Sequence, residues 1–163
     1  MMLENPIIWA ILIPLIGSVG ILITRKIPNL REAVTLATSV ILFLVVASLT
    51  PLVMAGERPS LTLVELVPGL NINFTVEPLG MLFGLVASGL WIINSIYSIG
   101  YMRGHHEANQ TRFYFFFAIA LASAIGVAFA GNMLTLFFSY EILTLCTFPL
   151  VTHSGKPEAV KSG

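Results

Sequence analysis

Aspartate is absent from this 163-residue chain, and charged residues of every kind make up only 10% of it. All eight acidic residues are glutamates, eight Lys and Arg balance them, and the formal net charge is zero. The chain therefore has no excess of positive charge that would indicate a nucleic-acid partner. This scarcity of charge, with 56% hydrophobic residues and a mean hydropathy of +0.92, excludes an ordinary soluble domain and predicts a polytopic membrane protein.

Motifs for cofactors and metals are also missing. The single cysteine, Cys146, excludes a disulfide framework and a CxxC metal site, and we interpret it as a small packing residue. There is no Rossmann fingerprint and no P-loop, so we expect no cofactor in this chain and no catalytic centre of its own. A metal site in the segment 103–107, Arg-Gly-His-His-Glu, is the alternative, but three clustered polar residues are weak evidence for one. Residues 1–6 contain no basic residue, so we expect no signal peptide.

Five apolar stretches predict five transmembrane helices, each bounded by charges or turn residues. They cover about residues 6–24, 33–54, 78–102, 113–130 and 132–152, and we assign residues 1–163 to a single membrane domain. Pro14 is expected to kink the first helix. Gly131-Asn132 leaves so short a turn that the last two helices must be antiparallel neighbours.

The segment between the second and third spans has the pattern of a β-hairpin. Residues 60–64 and 71–76 alternate between apolar and polar side chains, and Pro68-Gly69 marks a turn between them. We expect this hairpin to clasp the outer surface of the membrane; a ligand-binding loop is the alternative. The predicted fold is thus an all-α polytopic membrane protein with a short outer-face β-hairpin between helices two and three.

Basic residues predict the orientation of the chain. An N-terminus outside and a C-terminus inside places seven of the eight Lys and Arg residues on the cytoplasmic side, and only Arg58 outside. This satisfies the positive-inside rule and indicates a multi-pass protein of the cell (inner) membrane. The seven are Arg25, Lys26, Arg31, Arg103, Arg112, Lys156 and Lys161.

Small residues recur at four-residue spacing in two of the spans. The third span has Gly80, Gly84 and Ser88, and the fourth has Ala120, Ala124 and Ala128. Such rows let membrane helices approach closely, and we interpret them as ordinary close packing. Asn94, deep in the third span, either bonds to a neighbouring helix or lines a hydrated path.

Glu141 is the one ionisable side chain near the middle of a predicted span. A mid-span acidic residue costs about 2.5 to 3.5 kcal/mol to insert, so the default hypothesis is that it handles protons or cations. Alternatively, it stays protonated and bonds to a neighbouring carbonyl, although Ser, Thr or Asn usually do this. Thr144, one turn on along the same face, and the adjacent Tyr140 are candidate supporting residues. His153, just past the span, is either a proton-entry group or a solvated interfacial histidine.

Two segments resemble the antiporter-like membrane subunits. They are Tyr97-Ser-Ile-Gly-Tyr-Met and Asn132-Met-Leu-Thr-Leu-Phe-Phe-Ser-Tyr-Glu-Ile-Leu-Thr-Leu. This superfamily comprises subunits A and D of Mrp-type cation/proton antiporters, the large membrane subunits of complex I and related subunits of membrane-bound hydrogenases. The resemblance covers the N-terminal portion of the family's pattern, and the D-type branch is the best match. Tyr140 stands where the family often has Trp, and Glu77 stands where it commonly has Asp.

The resemblance implies a role for Glu141. It matches the family's essential glutamate, which pairs with a lysine on a later helix, so that the charge on each group changes the proton affinity of the other. The family builds its ion path from two inverted five-helix repeats. Here Lys26, Lys156 and Lys161 all lie in predicted loops, so none can be that lysine.

We therefore expect the chain to be a split or truncated N-terminal part of such a subunit, with the missing helices and the intramembrane lysine on another membrane subunit. Its other partners would be the lipid bilayer, H⁺ and, left open, Na⁺. Whether the complex is a redox-driven translocase or an Mrp antiporter is also open. The alternatives are a structural or assembly subunit without an ion path, and a stand-alone small transporter.

Overall fold

The computed structural model describes residues 5–105 and 109–152. Within them, six helices and two strands follow one another along the chain, and five segments are long and apolar enough to cross a membrane. This confirms the predicted number of spans. The elements are α1 (Pro6–Ile23), α2 (Pro28–Ser48), α3 (Thr50–Met54), β1 (Ser60–Val67), β2 (Leu70–Thr75), α4 (Pro78–Gly104), α5 (Gln110–Ala128) and α6 (Met133–Val151), with α2 and α3 forming one span.

The second span begins earlier than predicted. Pro28 lies in the first turn of α2, whereas the sequence indicated a start at residue 33. Proline suits a first helical turn because its missing N–H would have no intrahelical partner there. Arg31 and Glu32, which were assigned to a loop on account of their charge, therefore lie within the helix and are buried.

The same span is divided near its other end. Helix α2 ends at Ser48, and the short helix α3 begins at Thr50 with Pro51 in its first turn. The break is explained by Pro51, which has no N–H to donate to the preceding turn. The remaining spans start or end within three residues of the predicted positions, the usual uncertainty at frayed ends. The kink at Pro14 stays a prediction; α1 continues through this residue.

The long helices pack in a defined order. Helix α1 lies against α2 and α5, α2 against α4, α4 against α5, and α5 against α6. Trp91, Phe129, Leu42 and Ile125 are among the core residues that these contacts bury. Helix α6 lies at the edge, since 17% of its span residues are buried against 44% for α5.

The bundle has two chemically different ends. The hairpin end contains β1 and β2, the ends of α2 and α5, and the starts of α1, α4 and α6. Among the described basic residues, only Arg58 lies at this end. The opposite end, which we call the basic end, contains Arg25, Lys26, Arg31, Arg103 and Arg112. The basic residues are therefore separated as expected, while the assignment of the basic end to the cytoplasm stays a prediction.

The predicted hairpin is present. Strands β1 and β2 pair antiparallel, with Val67 opposite Leu70 across the two-residue turn Pro68-Gly69. Gly69 has a φ of +86°, which the third position of such a turn requires and which glycine adopts without strain. The position of the hairpin on the outer face stays a prediction.

The small residues of α4 allow close approach to α5. A Cβ atom at Gly80 would overlap the carbonyl oxygen of Ala128, and one at Gly84 would lie 3.2 Å from Cζ of Phe129. Ser88 is fully buried, and its hydroxyl donates to the carbonyl of Gly84 at 2.7 Å. The structure confirms close packing for this row.

This contact predicts a position-dependent effect of alanine. Gly80→Ala is expected to lower the free energy of unfolding by about 1–3 kcal/mol, because the added methyl group must displace backbone. Gly100→Ala in the same helix is the matched control, since no atom lies within 4 Å of its Cβ position. It should be neutral or stabilising, because alanine has the higher helix propensity. Thermal unfolding midpoints in mild detergent measure both; equal shifts would contradict the packing.

Candidate functional site

The hairpin fixes the start of α6. The side-chain oxygen of Asn132 accepts from the backbone N–H of Thr135 at 2.8 Å and caps the helix. Its Nδ2 donates to the carbonyl of Asn71 in β2 at 2.7 Å. The backbone N–H of Asn73 donates to Oγ1 of Thr135 at 2.9 Å. The first turn of α6 is thus bound to β2, which sets the position of everything further along this helix.

Asn132→Ala is expected to lower the free energy of unfolding by about 1 kcal/mol through loss of the cap. Asn132→Ser keeps a capping oxygen but loses the Nδ2 donation to Asn71, so it should fall between the alanine variant and the wild type. Thermal unfolding midpoints of the three proteins test this order. A wild-type midpoint in the alanine variant would show that the cap does not hold α6.

Glu141 is the ninth of the 19 residues of α6, at the middle of the span. Its side chain is exposed and makes no hydrogen bond or ion pair within residues 5–105 and 109–152. The buried residues of α6 lie on the opposite side of the helix. They are Thr135, Ser139 and Cys146, whereas the face around Glu141 carries the exposed residues Phe137, Phe138, Thr144, Leu145 and Phe148.

The side of α6 that carries Glu141 is not expected to contact lipid hydrocarbon alone. Ionisable residues within membrane spans face protein or a water-filled cavity, because facing lipid at mid-depth costs about 2.5 to 3.5 kcal/mol. The face of α6 around Glu141 (the Glu141 face, defined by residues 137, 138, 141, 144, 145 and 148) is therefore expected to contact other protein or water in the membrane. Within the described part of the chain, no neighbouring carbonyl accepts from Glu141 as the packing alternative requires.

The candidate supporting residues differ in position. Thr144 lies on the Glu141 face, but its hydroxyl donates to the carbonyl of Tyr140 in its own helix at 3.0 Å. Tyr140 is exposed about 100° around the helix from Glu141. His153 lies outside the described residues. The structure brings Glu141 and Thr144 together on one face and places Tyr140 at its border.

The alternative metal site is only partly described. His105 stacks on the ring of Tyr101 at a centroid distance of 4.3 Å, and His106 and Glu107 lie outside the described residues. The described residues contain no group of three His, Cys or Glu side chains that could hold a metal ion.

Comparisons with known proteins agree with the resemblance. Residues 68–114 match the family described as NADH-Ubiquinone oxidoreductase (complex I), chain 5 N-terminus. Na(+)/H(+) antiporter subunit A1 of Staphylococcus aureus is 26% identical over 119 residues, which are 72% of this chain and 14% of that subunit; strain bovine RF122 / ET3-1 gives the same figures. These matches support the similarity of the chain to the antiporter-like superfamily of membrane subunits.

A solved structure shows the same fold. In the membrane-bound sulfane sulfur reductase (MBS), an archaeal respiratory membrane complex, one chain superposes with a TM-score of 0.71 at 24% identity, covering 87% of this chain and 22% of that chain. The matched part of the chain spans 14% of the length of the curated relatives named above. These relatives are A subunits, and the assignment to the D-type branch stays a prediction.

Sequence reasoning missed a charged cluster at the basic end of the bundle. Arg31 and Glu32 are only 4% and 5% exposed. Nε of Arg103, at the end of α4, donates to Oε1 of Glu32 at 3.0 Å, and its Nη2 forms an ion pair with Oε2. Arg31 donates to Gln110 at 2.7 Å and to Thr111 at 3.1 Å, both in α5. The cluster therefore joins α2, α4 and α5.

Only some of the hydrogen-bonding groups of the Arg31 side chain have partners among the described residues. Its guanidinium carbon lies 5.3 Å from the centre of the Tyr114 ring, a cation–π geometry. Nε of Arg31 and the hydroxyl of Tyr114 are buried and have no hydrogen-bond partner among the described residues. The signal available in the sequence was Pro28, because proline is typical of a first helical turn. A helix that starts there contains Arg31 and Glu32, three and four residues further along.

Asn94 lies in an open apolar groove of about 510 Å³ beside Trp91, Tyr97 and Phe117. Its amide makes no hydrogen bond with the described part of the chain. The two interpretations of Asn94, a bond to a neighbouring helix and the lining of a hydrated path, stay predictions.

Proposed function

We propose that the antiporter-like chain serves a multi-subunit complex that translocates protons, with Glu141 as one half of an intramembrane charge pair. The observation that carries the proposal is an ionisable carboxyl group at the centre of a span, on a helix face that the described residues leave uncovered. Charged groups retained at such depth in membrane proteins mark ion paths.

The second half of the pair is a lysine on another membrane subunit, which supplies the missing helices. The described basic residues lie at the two ends of the bundle, away from the depth of Glu141. A cation brought next to the carboxyl group favours its ionised form, and withdrawal of that cation favours uptake of a proton. Repeated approach and withdrawal would load and release one proton per cycle.

The protein supports this cycle by holding Glu141 at a fixed depth. Asn132 and Thr135 bind the first turn of α6 to β2, two turns from Glu141, and the buried side of α6 packs on α5. Thr144 provides one further oxygen atom on the Glu141 face. The Glu141 carboxylate and the Thr144 hydroxyl together provide three oxygen atoms, which are few ligands for a bound Na⁺. H⁺ is therefore the proposed ion, and flux measurements with and without Na⁺ test this choice.

A structural subunit is the second candidate function. The charged cluster of Arg31, Glu32 and Arg103 and the close contact at Gly80 favour it, because both make the bundle rigid without contributing to an ion path. Under either function, we propose that the chain holds no cofactor and that any redox chemistry belongs to other subunits.

Replacement of Glu141 by Gln tests the choice between these functions. Glutamine keeps the shape of the side chain but cannot exchange a proton. Loss of pH-driven flux in vesicles that contain the assembled complex supports translocation, and wild-type flux supports a structural role.

The proposed orientation can be tested by labelling of single cysteines. In a Cys146→Ala background, which removes the one native cysteine, Glu57→Cys reports the hairpin end and Lys26→Cys reports the basic end; both positions are exposed. A membrane-impermeant maleimide added to intact cells should label position 57 and leave position 26 unlabelled. Labelling of position 26 alone would reverse the orientation, and labelling of both from outside would contradict the five-span topology.

A further inference from the structure

An apolar groove lies on the surface where α1 meets α2, away from the Glu141 face. Its volume is about 260 Å³, and we call it the α1–α2 groove. Ile16 and Ile41, which are 58% and 49% exposed, are among its more exposed lining residues. The full lining is Ile13, Ile16, Gly17, Gly20, Val34, Thr38 and Ile41.

The groove exists because two residues of α1 have no side chain. A Cβ atom at Gly17 would overlap the side chain of Thr38, and one at Gly20 would lie 3.1 Å from Cγ1 of Val34. The helices therefore approach closely beneath the isoleucines, and a depression remains between them.

The groove lies at a depth that the inner part of an acyl chain reaches from a headgroup at the basic end. Along α1 it extends from Ile13 to Gly20, and along α2 from Val34 to Ile41. Seven residues of helix correspond to about 10 Å. Since α2 starts at Pro28, the groove begins about 9 Å into this helix and reaches about 20 Å, past the middle of a hydrocarbon core of about 30 Å.

Two unneutralised positive charges lie beyond the end of this groove that is nearer the basic end. Arg25 and Lys26 form the turn between α1 and α2, and both side chains are exposed. Neither makes an ion pair with any described residue. Glu32, the acidic residue nearest to this turn along α2, is engaged by Arg31 and Arg103. Nothing in the described part of the basic end therefore neutralises the pair.

We propose that the α1–α2 groove binds one acyl chain of an anionic phospholipid whose phosphate is held by Arg25 and Lys26. The apolar groove accepts hydrocarbon, and the two cations lie at the headgroup level of the same leaflet. Basic clusters next to membrane spans attract anionic lipids by about 1 kcal/mol per residue, which neutral lipids do not gain. This charge favours a lipid over a helix of another subunit as the occupant.

The test is lipid titration of the assembly that contains the chain, followed by native mass spectrometry. Phosphatidylglycerol and phosphatidylcholine of equal chain length are the two probes. The wild type is expected to bind one phosphatidylglycerol per chain about thirtyfold more tightly than phosphatidylcholine. The double variant Arg25→Gln/Lys26→Gln should lose this preference and keep weak binding of both lipids.

Matched controls separate the two parts of the site. Ile16→Trp narrows the groove and should weaken the binding of both lipids. Leu22 lies on the same helix but lines no part of the groove, so Leu22→Trp should leave the binding of both lipids unchanged. Arg58→Gln at the hairpin end controls for loss of positive charge elsewhere. Equal binding of the two lipids to the wild type would overturn the headgroup assignment. Unchanged lipid binding to the Ile16→Trp variant would overturn the assignment of the groove as the acyl-chain site. Absence of any retained lipid on the wild type would overturn it as well.

Discussion

Glu141→Gln is expected to lower pH-driven ion flux through the assembled complex by about tenfold or more, on the scale of losing a positioned proton-transfer group. The reason is chemical rather than steric, since the amide fills the same volume and cannot take up or release a proton. We expect assembly to be unaffected, because the exposed Glu141 side chain makes no hydrogen bond or ion pair with the described residues. An uncharged amide is also easier to bury than a carboxylate.

Two further variants test whether the loss of flux is due to the titratable group at position 141. Glu141→Asp keeps the titratable group but withdraws it by one methylene, so partial flux is expected. Glu57→Gln removes an exposed carboxylate outside the spans and should leave flux unchanged. Flux in inverted membrane vesicles and the yield of the purified complex are measured together. Full flux in the Gln variant, with normal yield, would leave the chain with a structural role only.

Glu32→Ala is expected to produce the largest loss of stability, about 3 kcal/mol in the free energy of unfolding. Removing one member of a buried charge pair leaves the other uncompensated, which costs about 3–5 kcal/mol. The uncompensated group here is Arg31, which is 4% exposed and already has an unpaired Nε. We take the lower end of the range because Arg31 retains its bonds to Gln110 and Thr111.

Glu77→Ala is the matched control for this prediction. Glu77 also forms an ion pair, at 3.4 Å with Arg58, but the two side chains are 64% and 54% exposed. Exposed pairs contribute about 0–1 kcal/mol, so this variant should unfold close to the wild type. Thermal unfolding midpoints of the two variants in the same detergent provide the comparison. Similar unfolding midpoints for Glu32→Ala and Glu77→Ala would show that burial does not make the ion pair of Glu32 more stabilising than that of Glu77.

The hairpin illustrates what local chemistry makes predictable. The alternation in residues 60–64 and 71–76 and the Pro68-Gly69 turn depend only on neighbours in the chain, and the structure forms the hairpin there. The start of α2 shows the limit of the same reasoning. Charge suggested a loop at Arg31 and Glu32, but charged side chains can lie in a helix when distant residues neutralise them, here Arg103 at a separation of 71 residues.

The sequence alone determined the five spans, the hairpin, the family resemblance and the mid-span position of Glu141, because hydropathy, turn chemistry and position along a helix are properties of consecutive residues. Only the tertiary structure decided which face of α6 is packed. Apolar residues surround this helix on nearly all sides, so its pattern does not indicate a rotation, and contacts with α5 and β2 turn Glu141 outward. The charged cluster and the α1–α2 groove were likewise decided by packing, because each joins residues from helices whose relative positions no local pattern specifies.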